Sequence, residues 1–497
     1  MATSNETVAA PELVGHSELK QNAMGTSGVV FLVLAGITPL GAFTGMLPLG
    51  MGFGNGAAFP GILLMAAITL LCFAVGYVAM SHHITNAGAF YAYISRGIGR
   101  PFGVGASLVA IFSYLCVVIS IAGVFGFFAQ NTFSAQLGID ISWWVFSLFI
   151  LAAVGALAVR GIDLSAKILM VVCIFEFAIV MIVAIAIIAK TGLSGYTLSS
   201  FSPAMMAKGA PGVAIVFAFN LFIGFEATAI YSEESRDPKR TIGRATYISL
   251  ATISIFYVFI TWTLVAGYGA SDVQEIAAAD PGNFAFTTAA VYVGQWASDV
   301  MQWGILVGLF AALLGLHNST SRYLFALGRS HLLPGQLGRV HRRYGSPFVA
   351  SLTVTGIEIL VVSLSALAGL DPFIQLGAVT GAVTAFGIVL LQAFAAVSVI
   401  GFFWRRPDRS WARTVILPGL GATGLFIASY FIMRNFSMLT GSQVAWINSL
   451  PWITIGIGVV GVLYALWLRS ARSDTYEAIV RTIEVGETTV PAEVYEQ

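Results

Sequence analysis

Charge is what this sequence has least of. Only 9% of its 497 residues are Asp, Glu, Lys or Arg and 58% are apolar, whereas an ordinary soluble domain carries roughly 25% charged residues. The deficit excludes a large soluble helical protein, because a chain of this length in water needs far more charged surface. A bilayer accounts for it, since lipid-facing surface must be apolar and charge there is costly. Cysteine is scarce too. Cys72, Cys116 and Cys173 all fall inside apolar runs, without Cys-x-x-Cys spacing or a histidine partner, and read as small buried hydrophobes. Neither a disulfide framework nor a metal site is expected. The net charge of +1 gives no basic surplus for nucleic acid, which is not expected as a partner. No Gly-x-x-x-x-Gly-Lys-Ser/Thr loop occurs, so neither an ATP-binding module nor any cofactor is expected. An intramembrane enzyme would want His, Asp, Glu or Ser clustered inside the helices. His16, His82, His83, His317, His331 and His341 are instead expected mainly at cytoplasmic ends, and the chain is read as a non-enzyme.

Apolar runs fill most of what remains. A spanning helix needs about 20 mainly apolar residues. Such runs occur at 28–50, 58–80, 103–130, 142–160, 164–189, 211–232, 244–268, 296–327, 347–369, 372–403, 414–433 and 446–468. They predict an all-α integral membrane protein of about twelve transmembrane helices. The 53 glycines fit, because small residues let membrane helices approach closely. Polar tails at 1–27 and 469–497 flank the spans and are expected to be disordered; the first carries both charge signs and is not a cleaved secretory signal.

Basic residues orient the spans. With the amino terminus inside and strict alternation, the cytoplasmic segments and adjoining helix ends hold 21 of the 24 Lys and Arg residues. Only Lys190, Lys208 and Arg434 fall outside. The positive-inside rule therefore places both termini in the cytoplasm, with an even number of crossings.

Two spans look interrupted. The first carries Gly36-Ile37-Thr38-Pro39-Leu40-Gly41 near its middle, followed by Gly45, Pro48 and Gly50. A proline there removes a helical hydrogen bond and clashes with the preceding turn. The sixth opens with Pro211-Gly212 and has Gly224 at mid-depth, directly before Phe225 and Glu226. Irregular backbone at membrane depth is tolerated only where protein or a watery cavity satisfies it. Breaks five helices apart suggest inverted repeats of five, spanning 28–190 and 211–403, with two further helices at 414–468. Packing glycines and an ordinary proline kink are the plainer alternative.

Three stretches carry a resemblance. Asn86-Ala87-Gly88-Ala89-Phe90-Tyr91-Ala92-Tyr93 precedes Arg96 and Gly99-Arg100-Pro101 between the second and third spans. Gly224-Phe225-Glu226-Ala227 leads into Glu233-Glu234-Ser235-Arg236-Asp237-Pro238-Lys239-Arg240-Thr241-Ile242. After the eighth span come Asn318, Ser321-Arg322-Tyr323-Leu324, Arg329, Leu333-Pro334 and Arg342-Arg343-Tyr344-Gly345-Ser346-Pro347. Together, over roughly residues 28 to 470, these closely resemble the amino acid–polyamine–organocation (APC) superfamily of permeases. The resemblance implies the LeuT-type fold of two inverted five-helix repeats plus two carboxy-terminal helices, and secondary transport by alternating access across the plasma membrane. Amino acid carriers of the superfamily commonly show Gly-Ser-Gly in the first break. Counting back from Pro48, the matching positions are Gly41-Ala42-Phe43, where phenylalanine would obstruct close backbone approach. Thr38-Pro39-Leu40 with a nearby phenylalanine is instead similar to the putrescine-importer branch. The passenger is thus either a small amino acid or an amine or polyamine.

A polar passenger needs groups that replace its water shell. The breaks at Gly36, Ile37, Thr38, Pro39, Leu40 and Gly41 and at Ile223, Gly224 and Phe225 offer amides and carbonyls from half-helix ends. Phe43, Phe222 and Phe225 are positioned to close over such a site with cation–π contacts, with lipid or core packing as the alternative for each. Three carboxylates fall inside spans: Glu176, Glu226 and Glu358. No arginine or lysine is expected at their depth, so each is expected to hold a proton part of the time, as a proton-coupled carrier requires. The resemblance links an acid at Glu226 to substrate and proton sensing, and sets Glu176 where some proton-coupled relatives have lysine. Coupling to sodium is disfavoured because Phe310-Ala311-Ala312-Leu313-Leu314-Gly315 brings no side-chain oxygen through the middle of the eighth span. Arg96 and Arg236 are expected to gate the cytoplasmic side; the alternative is a solvated loop with a helix-starting turn at Asp237-Pro238. Two other functional classes stay open: an exchanger without net proton coupling, and a permease-like sensor that does not transport.

Overall fold

The computed structural model describes residues 25–84, 89–161, 166–226, 228, 235, 237–329, 332–440, 444–471, 473 and 476–477. Among them, nine stretches are long and apolar enough to cross a membrane, and two apolar helices, Trp143–Val159 and Pro211–Asn220, are shorter. In chain order the principal helices are α1 Thr26–Ile37, α2 (39–55), α3 Phe59–Ser81, α4 Ala89–Gly97, α5 Arg100–Leu137, α6 Trp143–Val159, α7 Ala166–Thr191 and α8 Pro211–Asn220. They continue with α9 Pro238–Tyr268, α10 Val273–Ala279, α11 Phe284–Tyr292, α12 Gln295–Arg329, α13 Phe348–Leu367, α14 Pro372–Phe403, α15 Trp411–Arg434 and α16 Leu450–Ala471. Proline sits in the first turn of α3, α5, α8 and α9, where its missing N–H costs nothing and its fixed φ suits the helix.

The stretch Thr26–Ser81 is 56 residues long, far more than the ~20 that one crossing takes. It is divided twice. The first division is at Thr38, with φ 48° and ψ 83°, the one non-glycine residue of positive φ among those described. Pro39 explains it: its ring clashes with a helical conformation in the residue before it, while proline itself is a favourable first residue for a new helix. The break is therefore narrower than the sequence suggests. Gly36 belongs to α1, whereas Gly41 (φ −62°, ψ −38°) and Ala42 (φ −62°, ψ −46°) are helical, so Gly41-Ala42-Phe43 lies past the interruption. The second division is at Gly54–Gly56, where non-helical backbone turns the chain back so that a Cβ on Gly50 would overlap the Phe59 ring. Widened turns at Ala42–Met46 and Gly50–Asn55 flank Pro48, as expected where proline removes a donor from the helical ladder.

α1 packs on α7, α9 and α12, and α8 packs on the end of α2 and on α3, α14 and α15. The interrupted elements thus stand inside a wall of complete helices. α14 is central, with 78% of its most apolar stretch buried in the protein, and α16 is peripheral, with 22%. Phe149, Ile255, Leu364, Leu367, Val460 and Leu463 are exposed on the outer faces, which is the surface a lipid solvent calls for.

Three further features concern the connections and the tail. The connection after α9 contains two short helices, α10 and α11. α10 covers the end of α2, with Gln274 Nε2 donating to the carbonyls of Gly52 (3.4 Å) and Gly54 (3.3 Å). The start of the carboxy-terminal tail is packed, because Tyr476 is buried and Glu477 lies 3.8 Å from Arg100. Asp237 caps α9 by accepting from the Arg240 N–H at 3.4 Å, so the helix-starting turn at Asp237-Pro238 is present.

Candidate functional site

The two interruptions meet. α8 ends at Asn220, and the chain runs through a tight turn in which Phe222 N–H donates to the Phe219 carbonyl (3.2 Å) and Ile223 N–H to that of Asn220 (3.1 Å). Gly224 then takes φ +111°, a conformation that side chains disfavour and glycine does not. Its Cα faces α1: a Cβ there would stand 3.2 Å from Ile37 Cγ1. The residue next to the Thr38 break therefore touches the residue at the second break.

Each break carries a carboxylate on its backbone. Oε2 of Glu176, from α7, accepts the Leu40 N–H at 3.3 Å. Leu40 is the second residue of α2, and an acid at a helix amino end is favoured by the free amides there. Oε2 of Glu226 accepts the Gly224 N–H at 3.0 Å, with Gln392 Nε2 of α14 at 3.5 Å. Glu176 and Glu226 are each 1% exposed, and in both the Oε1 atom has no hydrogen-bond partner among the described residues. Glu176 is seated by absence of bulk, since a Cβ on Gly308 of α12 would overlap its Oε1. Tyr257 of α9 lies within electrostatic reach of Glu176, and its buried hydroxyl also lacks a partner among the described residues. Tyr77 of α3 donates to the Glu226 carbonyl at 2.9 Å and holds that end of the break.

The anticipated residues separate accordingly. Ile37, Thr38, Pro39 and Leu40 line the first break, Gly36 ends the helix before it and Gly41 begins the one after. Phe222 is buried edge-on to Tyr257, with ring centroids 6.1 Å apart. Phe225 faces another way, edge-on to Phe73 of α3 at 6.2 Å, within an aromatic cluster that includes Tyr77. Phe43 is buried in α2 and Ile223 partly so. Arg96 is exposed on α4, and Arg236, Glu233 and Glu234 lie outside the described residues.

Glu358 is not without a partner. Its two oxygens lie 3.1 and 3.2 Å from His317 Nδ1, and His317 Nε2 lies 3.1 Å from Ser351 Oγ. All of this is buried between α12 and α13, so His317 is not at an exposed helix end. The sequence-based site also leaves out Tyr257, Gln392 and Gly308. A lone glutamine inside the apolar run of α14 was the available signal for Gln392; nothing in the sequence alone separates Tyr257 from the other tyrosines.

The profile of the family described as amino acid permease matches residues 24–463. The chain is 24% identical over 442 residues to the branched-chain amino acid permease BcaP of Bacillus subtilis, covering 84% of this chain and 88% of the relative. It is 26% identical over 429 residues to BcaP of Lactococcus lactis, covering 81% and 86%. It is 22% identical over 415 residues to the low-affinity putrescine importer PlaP of Escherichia coli, covering 80% and 84%. Apolar spans, a broken-helix junction and a match over almost the whole chain converge: this chain belongs to the amino acid permease family and is a multi-pass transport protein of the cell membrane.

Proposed function

We propose that the chain is a proton-coupled secondary carrier of a small amine or amino acid, working by alternating access around the junction of the two breaks. The observation that carries this reading is the contact of Gly224 with Ile37, with a buried carboxylate bonded to a backbone amide on each side. Helix ends opposed at membrane depth give a passenger both donors and acceptors, and buried acids without a basic partner are suited to taking and releasing protons. Relatives named for branched-chain amino acids and for putrescine support the substrate range. Protons are favoured over sodium because Gly304, Ile305 and Gly308 of α12 line the Glu176–Leu40 contact without a side-chain oxygen. Ser319 and Thr320 hydroxyls, further along, donate to Gly315 and Leu316 of their own helix.

The topology we propose is twelve crossings with both termini cytoplasmic. Support comes from the folding of Thr26–Ser81 into two arms and from the two shorter apolar helices at the expected fourth and sixth spans. In this reading 28–190 and 211–403 are inverted five-helix repeats, each opening on its broken helix, and 414–468 adds two more. The test is uptake of labelled amines and amino acids by the full chain in proteoliposomes. A gradient alkaline inside is expected to drive accumulation that a protonophore abolishes. Uptake only against preloaded substrate, insensitive to the gradient, would make the protein an exchanger instead.

A further inference from the structure

We propose that the passenger of this site is an amine without a carboxylate, because the chain's own acids already hold an amide at each break. This rests on reading the junction of the breaks as the substrate site. The first turn of α2 offers few donors: Pro39 has no N–H, the Thr38 N–H goes to the Ala35 carbonyl and the Leu40 N–H goes to Glu176, which leaves the Gly41 N–H as the amide of that turn without an acceptor among the described residues. At the second break Gly224 N–H goes to Glu226, and the amides of Phe222, Ile223 and Phe225 go to the carbonyls of Phe219, Asn220 and Phe222. The junction is therefore poor in free donors and rich in acceptors. Among the described residues, Glu176 Oε1, Glu226 Oε1, Gln392 Oε1 and the Tyr257 hydroxyl oxygen are all buried without partners.

A zwitterion entering here meets two difficulties. Its carboxylate must displace Glu176 from Leu40, exchanging one charge-assisted bond for another with no gain. It must also lie close to a second acid in a medium where like charges repel strongly. An ammonium group meets neither, since it brings only donors to a site of unpaired acceptors. Protonation of Glu176 does not rescue the zwitterion, because the neutral acid still accepts through Oε2 from Leu40. Tyr257, within electrostatic reach of Glu176, and Phe222, edge-on to that tyrosine, add aromatic surface that tolerates a cation.

The experiment uses matched pairs that differ only by a carboxylate: 1,4-diaminobutane against ornithine, and 3-methylbutylamine against leucine. Each is tested as a competitor of labelled uptake in proteoliposomes of wild-type protein, with both 1,4-diaminobutane and leucine as labels. The amine of each pair is expected to compete at least tenfold better than its amino acid, and labelled leucine is expected not to accumulate. Better competition by the amino acids, with leucine accumulating, overturns the inference and leaves a carrier. Accumulation of no label of either class, by protein that remains folded, overturns both. Glu176→Gln provides a second arm: it is expected to weaken amine uptake about tenfold, whereas unchanged amine uptake would count against the acid as its ligand.

Discussion

Gly224 and Ile37 are in contact across the two broken helices: a Cβ on Gly224 would lie 3.2 Å from Ile37 Cγ1, and the glycine holds φ at +111°. Two separate demands thus fall on one residue. Gly224→Ala is expected to cost about 1–2 kcal/mol through the left-handed backbone alone, and more through the Ile37 side chain. Uptake should fall while insertion persists. Ile37→Ala in the same chain is expected to recover the steric share and not the backbone share. Thermal unfolding of the single and double variants, read beside uptake, checks the division, and equal loss in both would show that Ile37 plays no part.

Glu226 offers a second handle, because Glu226→Gln keeps an oxygen for the Gly224 N–H and removes only the ionisable proton. If this acid carries the proton inward, wild-type uptake rises as external pH falls, since loading is favoured outside and release inside. In Glu226→Gln the initial rate is expected to be flat across the same series. Retention of the wild-type slope assigns the coupling elsewhere, with Glu176 the next acid to replace.

Legibility in the sequence followed physical cause. Thr38-Pro39 announces a break because proline restricts its neighbour locally, with no tertiary information needed. Gly224 before Glu226 is legible for a similar reason. What the sequence does not disclose is which faces meet. Phe225 points to Phe73 and not beside Phe222, because a turn through only two residues, Ile223 and Gly224, redirects the chain between them. Glu358 has its partner in His317 on a neighbouring helix, 41 residues away, and the spacing along one helix does not disclose a pairing between two. The expected break over Gly36–Gly41 is present but confined to Thr38-Pro39, because Pro39 restricts only the residue before it.

The His317–Glu358 contact makes its own prediction. Both side chains are fully buried, and Ser351 satisfies the other ring nitrogen. Removing one member of a buried pair strands the other, at about 3–5 kcal/mol in soluble proteins, whereas replacing both by apolar groups is frequently neutral. His317→Ala is therefore expected to lower the melting temperature in detergent more than the double variant His317→Leu/Glu358→Leu. Should the double variant be the less stable, the pair contributes net stability and joins α12 to α13 electrostatically.

The seat of Glu176 on Gly308 permits the sharpest test of the acid–amide arrangement, because it leaves both partners unchanged. A methyl group at Gly308 would overlap Glu176 Oε1, while a Cβ on Gly315 of the same helix meets no heavy atom within 4 Å. Both substitutions gain helix propensity of about 1 kcal/mol relative to glycine, so propensity cancels in the comparison. Gly315→Ala should transport as wild type. Gly308→Ala should push the carboxylate from the Leu40 N–H and reduce uptake to the level of Glu176→Gln. Shortening the acid in the same protein, Glu176→Asp with Gly308→Ala, withdraws the overlapping oxygen and should restore part of the lost rate. Wild-type uptake by Gly308→Ala alone would mean that the carboxylate can move aside at no cost, and that its bond to Leu40 does not govern what the junction accepts.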